Sequence, residues 1–184
     1  MNFVKHSDLL DKHAFLSPSN YHWLNYSDEK LIETYNRKMA SLMGTELHDF
    51  AAKCIKLGQK LPNKKQTLNM YVNDAIGYKM TPEQPLYFSP NCFGTADAIS
   101  FRNKELRIHD LKTGQSPASI NQLLIYTALF CLEYRENPND IWMENRIYQF
   151  NDIMVYNPEP TEILYIMEKI RSSDKILNEI RLEE

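Results

Sequence analysis

The sequence predicts an α/β (α+β) protein, a small mixed β-sheet flanked by helices, and three observations predict it. Apolar residues recur at helical spacing through most of the first 80 residues. Two strand-length apolar runs, residues 96–101 and 106–111, are separated by a short polar turn. A strongly apolar helical stretch follows, and then further strand-like runs and a closing amphipathic segment, so strands and helices alternate as in a layered fold. At 184 residues the chain suits a single domain, 1–184, with a proper core. Its parts are a mainly helical stretch at 1–80, a sheet with its buried helix at 85–157, and a C-terminal helix at 160–182.

Taken in order, residues 1–16 show no period and read as an extended or loosely docked arm. Ser17 followed by Pro18 is a helix-start signal, with a short helix through Tyr21, Trp23 and Leu24. Ser27 caps a second start, and Asp28 and Glu29 in its first turn suit the helix dipole. Leu31, Ile32, Tyr35, Met39, Leu42 and Met43 keep the helical period, which resumes after Gly44 with Leu47, Phe50, Ala51, Cys54 and Ile55, so Gly44-Thr45 is expected to divide two helices. His48 lies at the edge of this apolar face. Lys53, Lys56 and Lys60 lie opposite, with Lys64 and Lys65 beyond; such a run reads first as a solvated face and second as a phosphate-contacting one. Leu68, Tyr71, Val72, Ala75 and Ile76 mark another helix ending near Gly77. The proline-rich stretch 81–90 leaves room for one short edge strand at residues 86–88.

Residues 97–112 organise the rest. A hairpin turning at Asn103-Lys104 sets Arg102 opposite Glu105, Phe101 opposite Leu106, Ile99 opposite Ile108 and Asp97 opposite Asp110. Alternation puts these last three pairs on one face, and Lys112 joins them. Two carboxylates at the end of a core face repel one another and resist desolvation unless a cation lies between them. The plain alternative is a pair of acids at strand ends in water, since an isolated Asp-x-Lys is a common tripeptide. The next helix, residues 117–134, is apolar nearly all round, so both faces are expected to be buried, and Gln122 and Tyr126 project together from it. A buried glutamine amide needs a partner, whereas Tyr126 alone would read as core. A turn at 137–140, strands at 144–150 and 153–156, and a helix from Ile163 to Ile180 complete the chain.

Composition excludes several classes. With 21 basic and 24 acidic residues the formal net charge is -3, which excludes a purely electrostatic, histone-like nucleic-acid binder. Cys54, Cys92 and Cys131 are odd in number and widely spaced, as reduced core residues of a cytosolic protein are. The first residues lack an apolar signal core, and the apolar run at 123–132 is too short to span a bilayer, so a soluble intracellular protein with no membrane association is expected. Neither a Gly-rich phosphate loop nor a G-x-S-x-G elbow supports a small-molecule enzyme.

Four local patterns then occur in order: Gly44-Thr45-Glu46-Leu47-His48; Gly94-Thr95-Ala96-Asp97; Asp110-Leu111-Lys112-Thr113-Gly114; and Gln122-Leu123-Leu124-Ile125-Tyr126. With these and the Ser17-Pro18-Ser19 start, the chain resembles the PD-(D/E)XK nuclease superfamily, in its RecB-like branch of bacterial and phage exonucleases, over roughly residues 16–135. The resemblance implies a restriction-endonuclease-like core with an N-terminal helical extension. It implies that His48, Asp97, Asp110 and the Leu111 backbone carbonyl ligate Mg²⁺ or Mn²⁺, as hard oxygen ligands suit. Asp97, Asp110 and Lys112 would be catalytic, Lys112 positioning or activating the attacking water, and Gln122 and Tyr126 would steady the site or touch DNA. The four cysteines of an iron-sulfur cluster, found in some members of that branch, are lacking, so no cluster is expected, and with no helicase segment the protein would act alone or with a separate partner. The implied function is a metal-dependent DNA exonuclease, phage-type, in the cytoplasm of a bacterial host, with DNA, a recombination or single-strand-annealing protein, or further copies of itself as partners. The alternatives are an endonuclease, and a catalytically silent protein that keeps the fold to bind DNA or a protein.

Overall fold

The computed structural model describes residues 14–182, with side chains to residue 180, so residues 1–13 of the expected arm lie outside the described residues. Five strands and four α-helices follow in the order α1 (Asp28–Leu57), α2 (Thr67–Gly77), β1 (Thr81–Ser89), β2 (Cys92–Arg102), β3 (Glu105–Leu111), α3 (Asn121–Tyr134), β4 (Trp142–Gln149), β5 (Asp152–Tyr156) and α4 (Pro160–Leu182). The expected α+β class, a mixed sheet flanked by helices, is what the chain forms. The sheet order is β1-β2-β3-β4-β5; only β3 and β4 are parallel, and α3 makes the crossover that a parallel pair requires. No helix among the described residues is long and apolar enough to cross a membrane.

Contacts divide the chain into two compact units, one ending at Met43 and the other beginning at Gly44. In the first, Pro18–Asn25 forms the expected short helix as 3-10 turns. Ser17 holds the N-cap position, but its hydroxyl meets that of Ser19 at 2.7 Å and caps no amide. Ser27 does cap α1, accepting from the Lys30 amide at 3.3 Å. Phe15 meets Tyr35 edge to face, with ring centroids 5.2 Å apart. Ile32, Tyr35, Met39, Leu42 and Met43 keep their helical period yet are exposed, because periodicity specifies a face and not what covers it.

In the second unit the sheet has a core on each face. Leu106, Ile108, Leu123, Leu129, Ile147 and Ile163 form the core against α3 and α4. Ala51, Cys54, Tyr71, Val72, Leu111 and Tyr148 form the other, with α2 and the end of α1. Polar ties hold α2 down: Tyr148 donates to Asp74 at 2.8 Å, and Arg146 pairs with Asp74 and donates to Tyr78. His109, fully buried beside Tyr148, has its pKa pushed down to about 3 by burial first and by Arg146 and Arg107 next, so it is a neutral core histidine. Cys54 and Cys131 are free and buried, and Cys92 is free and partly buried.

Four expectations are corrected. Gly44 does not divide α1, which is one helix; a Cβ there would lie 2.8 Å from Thr113 Oγ1, so the glycine serves a close approach and not a break. The edge strand covers residues 81–89 and not 86–88, since Pro82 and Pro85 are tolerated at an edge. The crossover helix begins at Asn121, and it is not buried all round: Ile125 is exposed and borders a groove of about 800 Å³ between α3 and α4, alongside Tyr165 and Leu177. Gln122 is exposed as well, so burial is not what demands its partner.

Candidate functional site

The β2–β3 hairpin turns at Asn103 (φ 51°) and Lys104 (φ 61°), and two left-handed central residues make the turn whose twist matches paired strands. The pairs Arg102 with Glu105, Phe101 with Leu106 and Ile99 with Ile108 are those expected, followed by Ala98 with His109. There the ladder ends. Asp97 and Asp110 come next in register, but they are not a ladder pair: the Asp97 carboxylate turns to accept the Leu111 amide at 2.9 Å. A side-chain oxygen thus replaces the main-chain acceptor at the point where β3 leaves β2.

The two acids are poorly solvated. Asp110 is 3% exposed, and burial raises its pKa against the opposing pull of Lys112. Lys112 Nζ lies 3.1 Å from Asp110 Oδ2, near enough to pair charge, yet that oxygen has no aligned hydrogen-bond donor. Asp97 is pushed up to about 6, first by burial and then by the Asp110 charge, with the Leu111 amide and His48 opposing. From α1, His48 Nδ1 comes within 3.4 Å of Asp97 Oδ2. From α3, Gln122 Oε1 accepts from Lys112 Nζ at 2.8 Å, and Gln122 Nε2 reaches the Tyr126 hydroxyl at 3.5 Å.

All four sequence patterns therefore touch. His48 of the first meets Asp97 of the second; Asp97 meets Leu111 of the third; Lys112 of the third meets Gln122 of the fourth. Their glycines have steric reasons. A Cβ on Gly44 would collide with Thr113, and one on Gly94 would lie 2.9 Å from Tyr126 Cε1. Gly94 is thus the seat of the Tyr126 ring, and Gly44 lets α1 pass the segment after β3. Gln149 of β4 holds that segment from the other end, donating to the carbonyls of Gly114 and Ser116 and accepting from the Ala118 amide.

One residue was not foreseen. Glu83 of β1 stands in the cross-strand row of Asp97, because Pro82 pairs with Ala98 and Gln84 with Ala96 while Glu83 itself is skipped. Its φ is 51°, a left-handed conformation costing about 1 kcal/mol for a residue with a Cβ. His48, Glu83 and Asp97 each offer a ligand atom within 4.8 Å of one another, and Asp110 is not part of that group. The signal was present in the register sum along β2, but it is visible only once β1 is known to begin at Thr81.

His48, Glu83 and Asp97 are thus a group whose ligand atoms could hold a metal ion. No protein-family model, curated protein or solved structure matches the chain.

Proposed function

We propose that the protein is a metal-dependent DNA nuclease, of exonuclease type, that hydrolyses phosphodiester bonds at the end of β3. The observation supporting this most is the convergence of His48, Lys112 and Gln122, from three separate segments, on the desolvated acids Asp97 and Asp110. A structural ion pair would need neither a second carboxylate nor glycines seating the flanking side chains.

A bound divalent cation supplies Lewis-acid activation of water and of the phosphoryl oxygen. Asp97 and Asp110, with His48 and the Leu111 carbonyl, are the residues that would hold it. The Leu111 amide and His48 fix the Asp97 carboxylate, so that little reorganisation accompanies binding. Lys112, held by Gln122, keeps its ammonium beside Asp110, where it can orient water and offset charge developing on phosphate. Tyr126, seated on Gly94, is the backstop for Gln122. DNA as substrate, a recombination or annealing partner, self-association and a bacterial cytoplasmic setting rest on the four-pattern resemblance. Lys53, Lys56, Lys60, Lys64 and Lys65 are exposed, as contacts to a phosphate backbone require.

The test is cleavage of linear and closed-circular duplex DNA with Mg²⁺ or Mn²⁺ and with chelator. Degradation of the linear form alone, abolished by chelator and by Asp110→Ala, is expected. Efficient cutting of closed circles would make the enzyme an endonuclease, and full activity in Asp110→Ala would remove the mechanism.

A further inference from the structure

Between α2 and the end of β3 lies a cavity of about 220 Å³, walled by Leu47, Leu68, Leu111 and Phe150, with Thr113 and Gln115 adding polar groups. We propose that this cavity seats one nucleobase of the DNA strand being cut, stacked on the Phe150 ring. The inference deepens the nuclease reading and rests on it for DNA as the ligand.

The cavity adjoins the site through the chain itself. Leu111 and Lys112 both line it, and they are the residues whose amide and ammonium meet Asp97 and Asp110. Leu47 directly precedes His48 on α1. The Lys112 amide donates to the Tyr148 carbonyl at 3.0 Å, which brings the β4–β5 turn alongside. Phe150 lies two residues past Tyr148, about 7 Å along the strand. Thr67 lines the cavity as well, and the exposed Lys64 and Lys65 stand just before it, supplying positive charge for a phosphodiester strand.

Phe150 carries the argument furthest. Phe150 and Asn151 join β4 to β5 at φ 53° and 56°, in the left-handed region. Asparagine suits that conformation and a bulky aromatic does not. Strain of this kind persists where neighbouring contacts enforce it, and it gathers at ligand sites. Here the two flanking side chains enforce it. Gln149 grips the segment after Lys112 through Gly114, Ser116 and Ala118. Asn151 grips the start of α2: its amide donates to the Thr67 hydroxyl at 2.8 Å, and its Oδ1 accepts from the Thr67 amide at 3.0 Å. The turn is tied on both sides, and the ring between is left 56% exposed. A ring serving only as a lid over Leu47 and Leu68 would be buried. A turn needing only positive φ would take asparagine or glycine without strain. An exposed ring lining a mostly apolar cavity suits a nucleobase, because every base offers a π-face to stack and polar edges to bond. The volume lies below the roughly 300–1,000 Å³ of pockets for drug-sized ligands, so it fits one ring system. A base seated there is unpaired, so the nucleotide beside the scissile phosphate enters single-stranded or frayed.

The experiment uses short single-stranded oligonucleotides with 2-aminopurine at one position at a time. They are titrated into the full-length chain in chelator, with Asp110→Asn as the parent to lower repulsion between the site and phosphate. One labelled position should change its fluorescence on binding as its base stacks. Adding Phe150→Ala or Phe150→Leu should remove that change and weaken binding about tenfold, whereas Phe150→Tyr should retain both. Tyr165→Ala, which removes an exposed ring on α4, should alter neither. A thermal melt verifies that each variant is folded. A fluorescence change that persists in Phe150→Ala, or full affinity in Phe150→Leu, would overturn the base pocket, and metal-dependent cleavage by the wild type would then leave the nuclease reading standing. A Phe150-dependent signal without any cleavage by the wild type would do the reverse. No oligonucleotide binding by either the parent or the wild type would overturn both.

Discussion

Asp97→Asn should stabilise the metal-free protein at neutral pH. The substitution preserves shape and keeps an oxygen to accept the Leu111 amide, but it removes the charge. In the folded protein the Asp97 carboxyl is pushed from 3.8 up to about 6. A shift of roughly two units corresponds to about 3 kcal/mol, an upper value because Asp110 shares the interaction. The sign follows from proton binding. Between pH 3.8 and about 6 the folded state holds this proton more tightly than the unfolded state, so stability falls as pH rises through that window. The favourable contribution is complete below 3.8 and lost above about 6, and the asparagine variant has no such loss. Urea unfolding in chelator should therefore show Asp97→Asn more stable than wild type by about 1–3 kcal/mol at pH 7.5, with the gain vanishing at pH 4. Saturating Mn²⁺ should reverse the ranking, because about 4.1 kcal/mol is gained at a thousandfold excess over Kd only where the site is intact. An equal loss of stability at both pH values would refute the reasoning, since it would mean that Asp97 acts through its hydrogen bond and not its charge.

Three further outcomes are expected. Gly94→Ala should cost about 1–3 kcal/mol in urea unfolding through overpacking, and much less in a Tyr126→Ala background, because the ring is what the new Cβ meets. Lys112→Met should lower DNA cleavage by roughly 10²-fold or more while Mn²⁺ binding is kept or tightened, since a competing charge beside Asp110 is removed; lost Mn²⁺ binding would show that the lysine maintains the site's structure instead. Leu123→Ala, fully buried between α3 and the sheet, should lower stability by about 2–5 kcal/mol, measured from the urea midpoint at constant slope.

Much of the hairpin was legible because its information is local. A two-residue turn sets an index sum, and the sum set every pair from Arg102–Glu105 to Ile99–Ile108. The same logic held through Ala98–His109 and failed at the next step, Asp97–Asp110, where a side chain competed with the main chain for the Leu111 amide. Helix positions were also local: Ser27 capped α1, and the apolar period located α2 and α4. What those helices bury was not local. Ile32, Tyr35 and Met39 repeat as core residues do and are exposed, and Ile125 lies in an apolar run yet borders an open groove.

By itself, then, the sequence determined the class of fold and the hairpin register, since turn type and apolar period are properties of a few adjacent positions. Only the tertiary structure decided how the distant segments meet and that Glu83 joins them. It aligned Glu83 with Asp97 through the β1 register, seated Tyr126 on Gly94, and set Gly44 against Thr113. Those relations join positions tens of residues apart, and they exist only when strands pair and helices pack.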